Sequence, residues 1–372
     1  MNIALKTSIS NVMPQINKDR LIILVDDALI PPQMLQNAHL AKALQGVELS
    51  GLKKMVRLAN RASVETFKES ALSTPFDAAF AQALSTPHTD GLTAQGELAY
   101  HITHLRQSTP DHKVNASPIQ ELGYALIHLC HWRVGGGHVM MQKAQGLDAQ
   151  SSKALRMKLE PLFESEGIEL FDFRHDTWIA RSKHFLDLPS ASLNKVMNED
   201  VLPWLIGVPE QNERNTDALK EPSIQTLRRL QSEIQMFLYD QHASAPTFGS
   251  VNSIWFSGTG TAPKAWDAIQ LLSPLASQDI TLLTKNNTQV LCLHGLTQAL
   301  ERLDFASWLE MLKEMDHLIF EPLHQTPTLQ VVLCGRHQVK RWSIEKTSWI
   351  QKSLNALKHQ FLGVGNSLQL LS

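Results

Sequence analysis

The sequence has no long hydrophobic run. Its apolar stretches, such as LIILV at residues 21–25, fall far short of the roughly 20 residues that a membrane-spanning helix needs. Residues 1–20, MNIALKTSISNVMPQINKDR, also lack a long apolar core followed by a small-residue cleavage site. We therefore expect no membrane anchor and no secretory signal, and we predict a cytoplasmic location.

Cysteine is scarce. Cys130, Cys292 and Cys334 are odd in number, lie far apart, and each sits within an apolar run. Isolated thiols in apolar segments are typical of buried residues in a reducing compartment, whereas secreted domains pair their cysteines in disulfides. The chain must therefore rely on a hydrophobic core, for which 372 residues with 43% apolar side chains are sufficient.

An excess of either charge sign is also missing. The chain has 34 lysines and arginines against 36 aspartates and glutamates, a net charge of −2, so it presents no broad basic surface for nucleic acid. A local basic cluster surrounds Trp342 and Trp349, and it suits either a solvated face or contact with an acidic partner. We favour the solvated face and predict no nucleic-acid partner.

Hydrophobic periodicity divides the chain into two regions. Residues 21–25 predict a buried strand, and the apolar spacing from Pro31 to about Gln107 is typical of helices. Residues 108–118, STPDHKVNASP, predict a linker. We therefore predict a mainly helical N-terminal region with one early strand at residues 1–118, and a mixed domain at residues 119–372. The predicted class is α/β (α+β mixed), with a mixed β-sheet and hairpins covered by helices.

The second region alternates strand and helix patterns. Strands are predicted at residues 125–134 and 138–141, around a triple-glycine hairpin, and at 168–173, 177–180, 251–256, 279–283, 289–293, 330–334 and 340–344. Helices are predicted at residues 149–165, 223–239, 304–315 and 348–361.

The most distinctive segment is an amphipathic helix, LRRLQSEIQMFLYDQHA at residues 227–243, followed by VNSIWFSGTGTAP at residues 251–263. Gly258 and Gly260 allow a sharp turn after the strand. Such a turn either exposes backbone N–H groups to a phosphate or carboxylate, or forms a structural corner of the sheet. The spacing of GTGTAPK differs from that of a Walker loop.

The run from His131 to Pro263 resembles the bacterial RpfE-type regulatory protein family. The segment CHWRVGGGHVMM, residues 130–141, resembles a strand-turn-strand unit of that family and places His131 and His138 on its two histidine positions. Further segments resemble family motifs in the same order: LFESEGIEL, DTWIA, LQSEIQMFL and VNSIWFSGTG.

The last of these segments is also similar to an inserted region of archaeal-type, cofactor-independent phosphoglycerate mutases, through the pattern N-x-I-W-x-x-G-x-G-x-x-P. A working mutase of this kind needs two divalent metals held by Asp and His clusters, and a Ser or Thr nucleophile. Asp26 and Asp27 resemble the first metal aspartate, but Ala28 stands where a glycine is expected, and no D-G-H or D-H-x-H cluster follows. We therefore predict no metal site and no cofactor.

The resemblance implies a candidate ligand site, which departs from the family in part. Where relatives show H-P-V-N, this chain has His242-Ala243-Ser244-Ala245, and where they have a second tryptophan it has Ser257. The candidate ligand-binding residues are Asn252, Trp255, Gly258, Gly260, His242 and His131.

Four nearby residues have a spacing that could suggest zinc: His128, Cys130, His131 and His138. Side chains alternate along a strand, so His128 and Cys130 point to one face and His131 points to the other. We therefore do not predict a zinc site.

Two functional hypotheses follow. We predict a cytoplasmic bacterial regulatory or interaction protein of the RpfE type, without catalytic activity, whose partner is an unknown protein or a small phosphorylated ligand. The alternative is a phosphoglycerate mutase-like enzyme, active or degenerate, that binds a phosphorylated small molecule near Gly258 and uses His242 or His131 as acid or base.

Overall fold

The computed structural model describes residues 3–16, 20–30, 46–86, 88–105, 122–207, 221–244, 248–261, 269–272, 280–345 and 370–371, with single residues at 36, 42 and 44. Within these ranges, no helix is both long and apolar enough to cross a membrane.

Helices and strands alternate along the chain. The helices are α1 Ile3–Val12, α2 Ser50–Leu58, α3 Pro75–Ala83, α4 Gln95–Tyr100, α5 Ala149–Ser165, α6 Leu193–Val196, α7 Pro222–Ser244, α8 Gly295–Glu301, α9 Phe305–Met315 and α10 Glu321–Leu323. The strands are β1 Leu21–Val25, β2 Arg61–Thr66, β3 Gly123–Gly135, β4 His138–Lys143, β5 Glu169–Arg174, β6 Thr177–Ser182, β7 Ser253–Gly260, β8 Ile269–Leu271, β9 Ile280–Lys285, β10 Thr288–Leu293, β11 Leu329–Cys334 and β12 Gln338–Ile344.

The chain forms two compact units from interleaved segments. Unit 1 comprises Met1–Glu69, Pro75–Ser85 and Ala268–Ser372, and unit 2 comprises Ser70–Thr74 and Thr86–Asp267. The predicted linker at residues 108–118 lies outside the described residues, and the predicted domain division at residue 118 stays a prediction beside these two units.

Unit 1 contains a seven-stranded mixed sheet in the order β2-β12-β11-β1-β10-β9-β8. Strand β1 is parallel to both of its neighbours, β10 and β11, while the outer pairs are antiparallel. All five residues of β1 are buried, as expected of a central parallel strand whose two faces are covered. Each fully buried aliphatic side chain of this kind contributes about 1.5–3 kcal/mol to folding.

Helices cover both faces of the central part of this sheet. Leu21, Ile23 and Val25 of β1 join one core cluster with apolar residues of α2 and α9, including the fully buried Trp308. On the opposite face, α3 packs against β1, β11 and β12. The carboxyl end of β1 therefore lies between two layers of helices.

Unit 2 is organised around the 13-residue strand β3. This strand pairs antiparallel with β6 along its first half, with β4 along its second half, and with β7 along its other edge. One face of β3 packs Ala125, Ile127 and Leu129 against α5 and α7. The other face contributes Cys130 to a smaller cluster that includes Trp255.

The predicted fold class is confirmed, because mixed sheets are covered by helices. The predicted strand at residues 21–25, the hairpin of β3 and β4, and the helix at residues 149–165 are present. The predicted last helix, residues 348–361, lies outside the described residues.

Two predicted elements differ from the structure. Strand β2 lies within a region predicted to be mainly helical. All six of its residues are exposed, so the short alternation in RASVET does not mark a buried face. Strand β7 continues through Gly258 and Gly260, which were predicted to form a turn after it. The strand accommodates them through an irregular register opposite Tyr124 and Leu126.

A distant carboxylate caps helix α2. Asp316 Oδ2 accepts a hydrogen bond from the Gly51 amide at 2.9 Å, and Oδ1 accepts one from the Leu52 amide at 2.7 Å, across 265 and 264 positions of sequence. Asp316 is 4% exposed. These bonds satisfy two amide groups that the first turn of a helix leaves without intrahelical partners.

We expect Asp316→Asn to lower the free energy of unfolding by about 1–3 kcal/mol, because the amide nitrogen leaves one buried N–H group without an acceptor. Urea-induced unfolding followed by circular dichroism measures the change. Glu310→Gln, at an exposed position of α9 in the same unit, removes the same charge and should have little effect. Equal stability of the two variants would contradict the capping role.

Candidate functional site

The side chain of Asn252 extends the hydrogen-bonding pattern of the sheet in unit 2. Its Oδ1 accepts a hydrogen bond from the Trp132 amide at 2.6 Å, and its Nδ2 donates to the Trp132 carbonyl at 2.9 Å. The last regular pair between β3 and β7 is Cys130 with Ser253. The Asn252 side chain therefore takes the place of a peptide group one step before the start of β7, which requires a donor and an acceptor on one short side chain.

His131 and Trp255 also bond to backbone carbonyls. The Nδ1 of His131 lies 2.7 Å from the Ser250 carbonyl oxygen, so it carries the proton and donates. Trp255 is 2% exposed, and its Nε1 donates to the Ala191 carbonyl at 2.9 Å. Both side chains thus fasten loops to the central strands of unit 2.

Gly258 and Gly260 lie in β7 with φ values of 64° and 106°, a left-handed region that favours glycine. A Cβ atom at Gly258 would lie 3.0 Å from Gln95 Cβ and 3.2 Å from the Gly96 nitrogen at the start of α4. The glycines therefore let β7 bend and let α4 approach it closely.

His242 lies in the last turn of α7, and nothing is described of its side chain. The structure thus places Asn252, Trp255, Gly258 and Gly260 in or beside β7, with His131 on the adjacent strand β3. Ligand binding by these six residues stays a prediction.

A buried hydrogen-bond chain that sequence reasoning missed crosses three strands of unit 2. His128 Nε2 lies 2.7 Å from Ser257 Oγ, and His128 Nδ1 lies 3.2 Å from Thr177 Oγ1. Thr177 Oγ1 in turn donates to Asp176 Oδ1 at 3.2 Å. Because Thr177 gives its proton to Asp176, it accepts from His128 Nδ1, and Nε2 accepts from Ser257.

This order of groups matches that of an activated serine nucleophile, in which a histidine oriented by a carboxylate takes the hydroxyl proton. However, Ser257 is 2% exposed and His128 is 8% exposed, so a substrate cannot reach the hydroxyl in this structure. Burial lowers the pKa of His128 to about 4 and keeps the imidazole neutral. This hydrogen-bond chain therefore provides partners for buried polar atoms and links β6, β3 and β7.

The sequence marked one member of this network, Ser257, only as a departure from the pattern of the family that the segment resembles, which has a tryptophan there. Its partner His128 could not be identified, because the two residues are 129 positions apart.

The four residues with zinc-like spacing do not act together. His128 is held in the buried chain, and His131 bonds to the Ser250 carbonyl. His138 Nδ1 lies 3.0 Å from Asp200 Oδ2 at the surface. Cys130 is buried, which raises the pKa of its thiol and disfavours the thiolate that binds metal.

In unit 1, Asp26 lies directly after β1, at the carboxyl end of the central parallel strand. Its Oδ2 is 3.8 Å from Nδ1 of His294, the residue that follows β10, and its Oδ1 accepts from the Asp27 amide at 3.1 Å. The Phe76 ring meets the His294 ring edge-on, with centroids 4.9 Å apart. Open α/β sheets bind ligands beyond the carboxyl ends of their parallel strands, which is where this pair lies.

Among the residues that the structure describes, no group of three or more His, Cys, Asp or Glu side chains is arranged to hold a metal ion.

Comparisons with known proteins give little more. No protein-family model matches the chain, and no curated protein sequence matches it. The resemblance to the RpfE-type family therefore stays a prediction. Among solved structures, the chain is similar to a cofactor-independent phosphoglycerate mutase from Thermoplasma acidophilum, with a TM-score of 0.35 and 11% identity over 88% of this chain and 90% of that chain. At so low a score the likeness decides nothing about activity.

We expect both Asn252→Ala and Asn252→Asp to lower the free energy of unfolding by about 1–3 kcal/mol. Alanine removes both hydrogen bonds to Trp132, while aspartate sets a carboxylate oxygen against the Trp132 carbonyl. Urea-induced unfolding followed by tryptophan fluorescence measures the loss, and Gln150→Ala, at an exposed amide on α5, is the control. An Asn252→Asp variant as stable as the wild type would show that the Nδ2 bond contributes nothing.

We expect His128 to make stability depend on pH. In the unfolded chain a histidine binds a proton below its usual pKa of about 6.5, whereas folded His128 does so only below about 4. Stability should therefore fall as the pH drops from 6.5 towards 4, by about 3 kcal/mol in total from this residue.

Melting temperatures measured across this pH range test the effect. His128→Gln should reduce the slope, whereas His88→Gln, at an exposed position of the same unit, should keep it. An unchanged slope in His128→Gln would assign the pH dependence to other groups.

Proposed function

We propose that this chain is a cytoplasmic bacterial regulatory or interaction protein of the RpfE type, which acts by binding and not by catalysis. The observation that carries the proposal is that the polar side chains of the distinctive segment in unit 2 form hydrogen bonds within the protein. Asn252, His131 and Trp255 direct their polar atoms to backbone groups of the protein itself. These internal hydrogen bonds support a structural role for the segment, and the proposed function therefore belongs to the exposed surface of the protein.

One exposed surface suits such a role. Among the strands that the structure describes, β2 lies at the edge of the unit 1 sheet, and every one of its residues is exposed. An open strand edge offers a row of backbone donors and acceptors to another strand, which is a common way for proteins to bind each other.

The alternative is a phosphoglycerate mutase-like or degenerate enzyme that binds a phosphorylated small molecule. The pair of Asp26 and His294 favours it, because a buried carboxylate and an imidazole meet beyond the carboxyl ends of β1 and β10. The alternative then has two candidate positions for its ligand: beside Asp26 in unit 1 and, as predicted from the sequence, near Gly258 in unit 2.

A ligand screen separates the two. We expect the melting temperature to stay unchanged with Mn²⁺, inorganic phosphate or 3-phosphoglycerate, and we expect no mutase turnover in a coupled assay. A ligand present at 100 times its dissociation constant would stabilise the folded protein by about 2.7 kcal/mol, which such a measurement detects readily.

Two variants complete the test. Turnover that Asp26→Asn abolishes and Asn252→Ala retains would show that the proposed function is wrong and the alternative right. A thermal shift with Mn²⁺ that Asp26→Asn removes would identify a metal-binding protein without turnover and would equally overturn a purely protein-binding role.

A further inference from the structure

The edge strand β2 is exposed to an unusual degree. It pairs antiparallel with β12, from Arg61 opposite Ser343 to Thr66 opposite Gln338, and it ends the order of described strands on that side. Neither face of β2 is covered, and Val64 is 62% exposed. A β-branched residue in an uncovered edge strand suits pairing with a further strand.

The direction of the backbone groups follows from the pairing with β12. The Phe67 amide donates to the His337 carbonyl at 2.7 Å, directly after the strand. Because backbone groups alternate sides along an antiparallel strand, Arg61, Ser63 and Glu65 also direct their N–H and C=O groups towards β12. Ala62, Val64 and Thr66 direct theirs to the open edge.

The charges of β2 complement those of a second copy in one register. When two β2 strands run antiparallel with Ser63 opposite Ser63, each Arg61 lies opposite a Glu65. Ala62 then lies opposite Val64, and these outward-facing residues can exchange backbone hydrogen bonds. Arg61 and Glu65 fall at non-hydrogen-bonded positions, where opposite Cα atoms are only about 4.5 Å apart and side chains interact best.

Other registers lose this match. A shift by one residue pairs outward-facing with inward-facing backbone groups, so no ladder forms. A shift by two residues in either direction places a charged residue opposite Ser63 and removes both ion pairs, and a further shift brings like charges together. The sequence Arg-Ala-Ser-Val-Glu-Thr thus favours a single self-pairing.

The existing ion pairs of these side chains are compatible with this arrangement. Arg341 donates to Glu65 Oε2 at 2.6 Å, and Arg61 lies 3.9 Å from Glu345, both within the chain. A guanidinium has five N–H donors and a carboxylate has two acceptor oxygens, so each group can serve a second partner. Arg61 and Glu65 remain exposed with these contacts in place.

We propose that β2 pairs antiparallel with β2 of a second copy of this chain about a twofold axis that passes between the two Ser63 residues, which joins the two unit 1 sheets into one. This inference gives the proposed interaction role a partner and rests on that role. A six-residue strand pair buries little surface, so the dimer should be weak and dependent on concentration.

The backbone part is tested with a proline at position 64. Val64→Pro removes an outward N–H group, and an edge strand tolerates proline at such a position. Val64→Thr is the matched control, because threonine is β-branched and keeps the N–H group. In sedimentation velocity over a concentration series, wild type and Val64→Thr should shift from monomer to dimer, while Val64→Pro should stay monomeric with an unchanged circular dichroism spectrum.

The register is tested by exchanging charges between two variants. Arg61→Glu and Glu65→Arg should each be monomeric alone, because each places like charges opposite one another. An equimolar mixture should dimerise, because the two acidic side chains of the first variant, at positions 61 and 65, then face the two basic side chains of the second. A mixture that stays monomeric while wild type dimerises would refute this register.

Several outcomes overturn the inference. A wild type that stays monomeric up to its solubility limit excludes a second copy as the occupant of the edge, but leaves the interaction role with another partner. A Val64→Pro variant that dimerises as well as wild type places the dimer contact elsewhere. Conversely, a β2-dependent dimer with phosphoglycerate turnover would uphold the inference while the proposed function fails.

Discussion

Strand β1 needs hydrogen-bond partners on both of its edges, and this need organises unit 1. All five of its residues are buried, so their backbone groups must find partners within the protein. Those partners are β10 and β11, which follow only after the whole of unit 2 has passed. The same closure brings Asp316 to the start of α2 and sets Asp26 beside His294.

Unit 2 depends on a related constraint, since its 13-residue central strand β3 has more backbone donors and acceptors than one neighbouring strand can bond. The Asn252 side chain bonds the backbone of β3 just before the start of β7, and His131 fixes the loop that leads to Asn252. The hydrogen-bond chain from Ser257 through His128 to Asp176 provides partners for the buried polar side chains of this sheet. Asn252 and His131, which are candidate ligand-binding residues, here bond to backbone groups of the sheet and of its loops.

Much of the fold could be predicted from the sequence, because short apolar runs and hairpin glycines are local signals. The five apolar residues of β1 and the hairpin of β3 and β4 are examples. Strand β2 could not be predicted, since both of its faces meet solvent and its identity comes only from pairing with β12.

The candidate site was harder still to predict. Sequence reasoning selected Asn252 and Trp255 as distinctive residues but could not show that their partners are the backbone of Trp132 and Ala191. The pairing of His128 with Ser257 joins residues too distant in sequence for any local pattern to reveal.

The interleaved order of the two units has a consequence for protein synthesis. At a translation rate of about 5–20 residues per second, β1 leaves the ribosome roughly 15–60 s before β11 can join it. All of unit 2 emerges during that interval. The apolar segment LIILV is meanwhile the kind of short, uncharged, β-prone sequence that aggregates when exposed. During synthesis these five residues therefore need some other cover, from the chain itself or from another protein, until the last third of the chain is made.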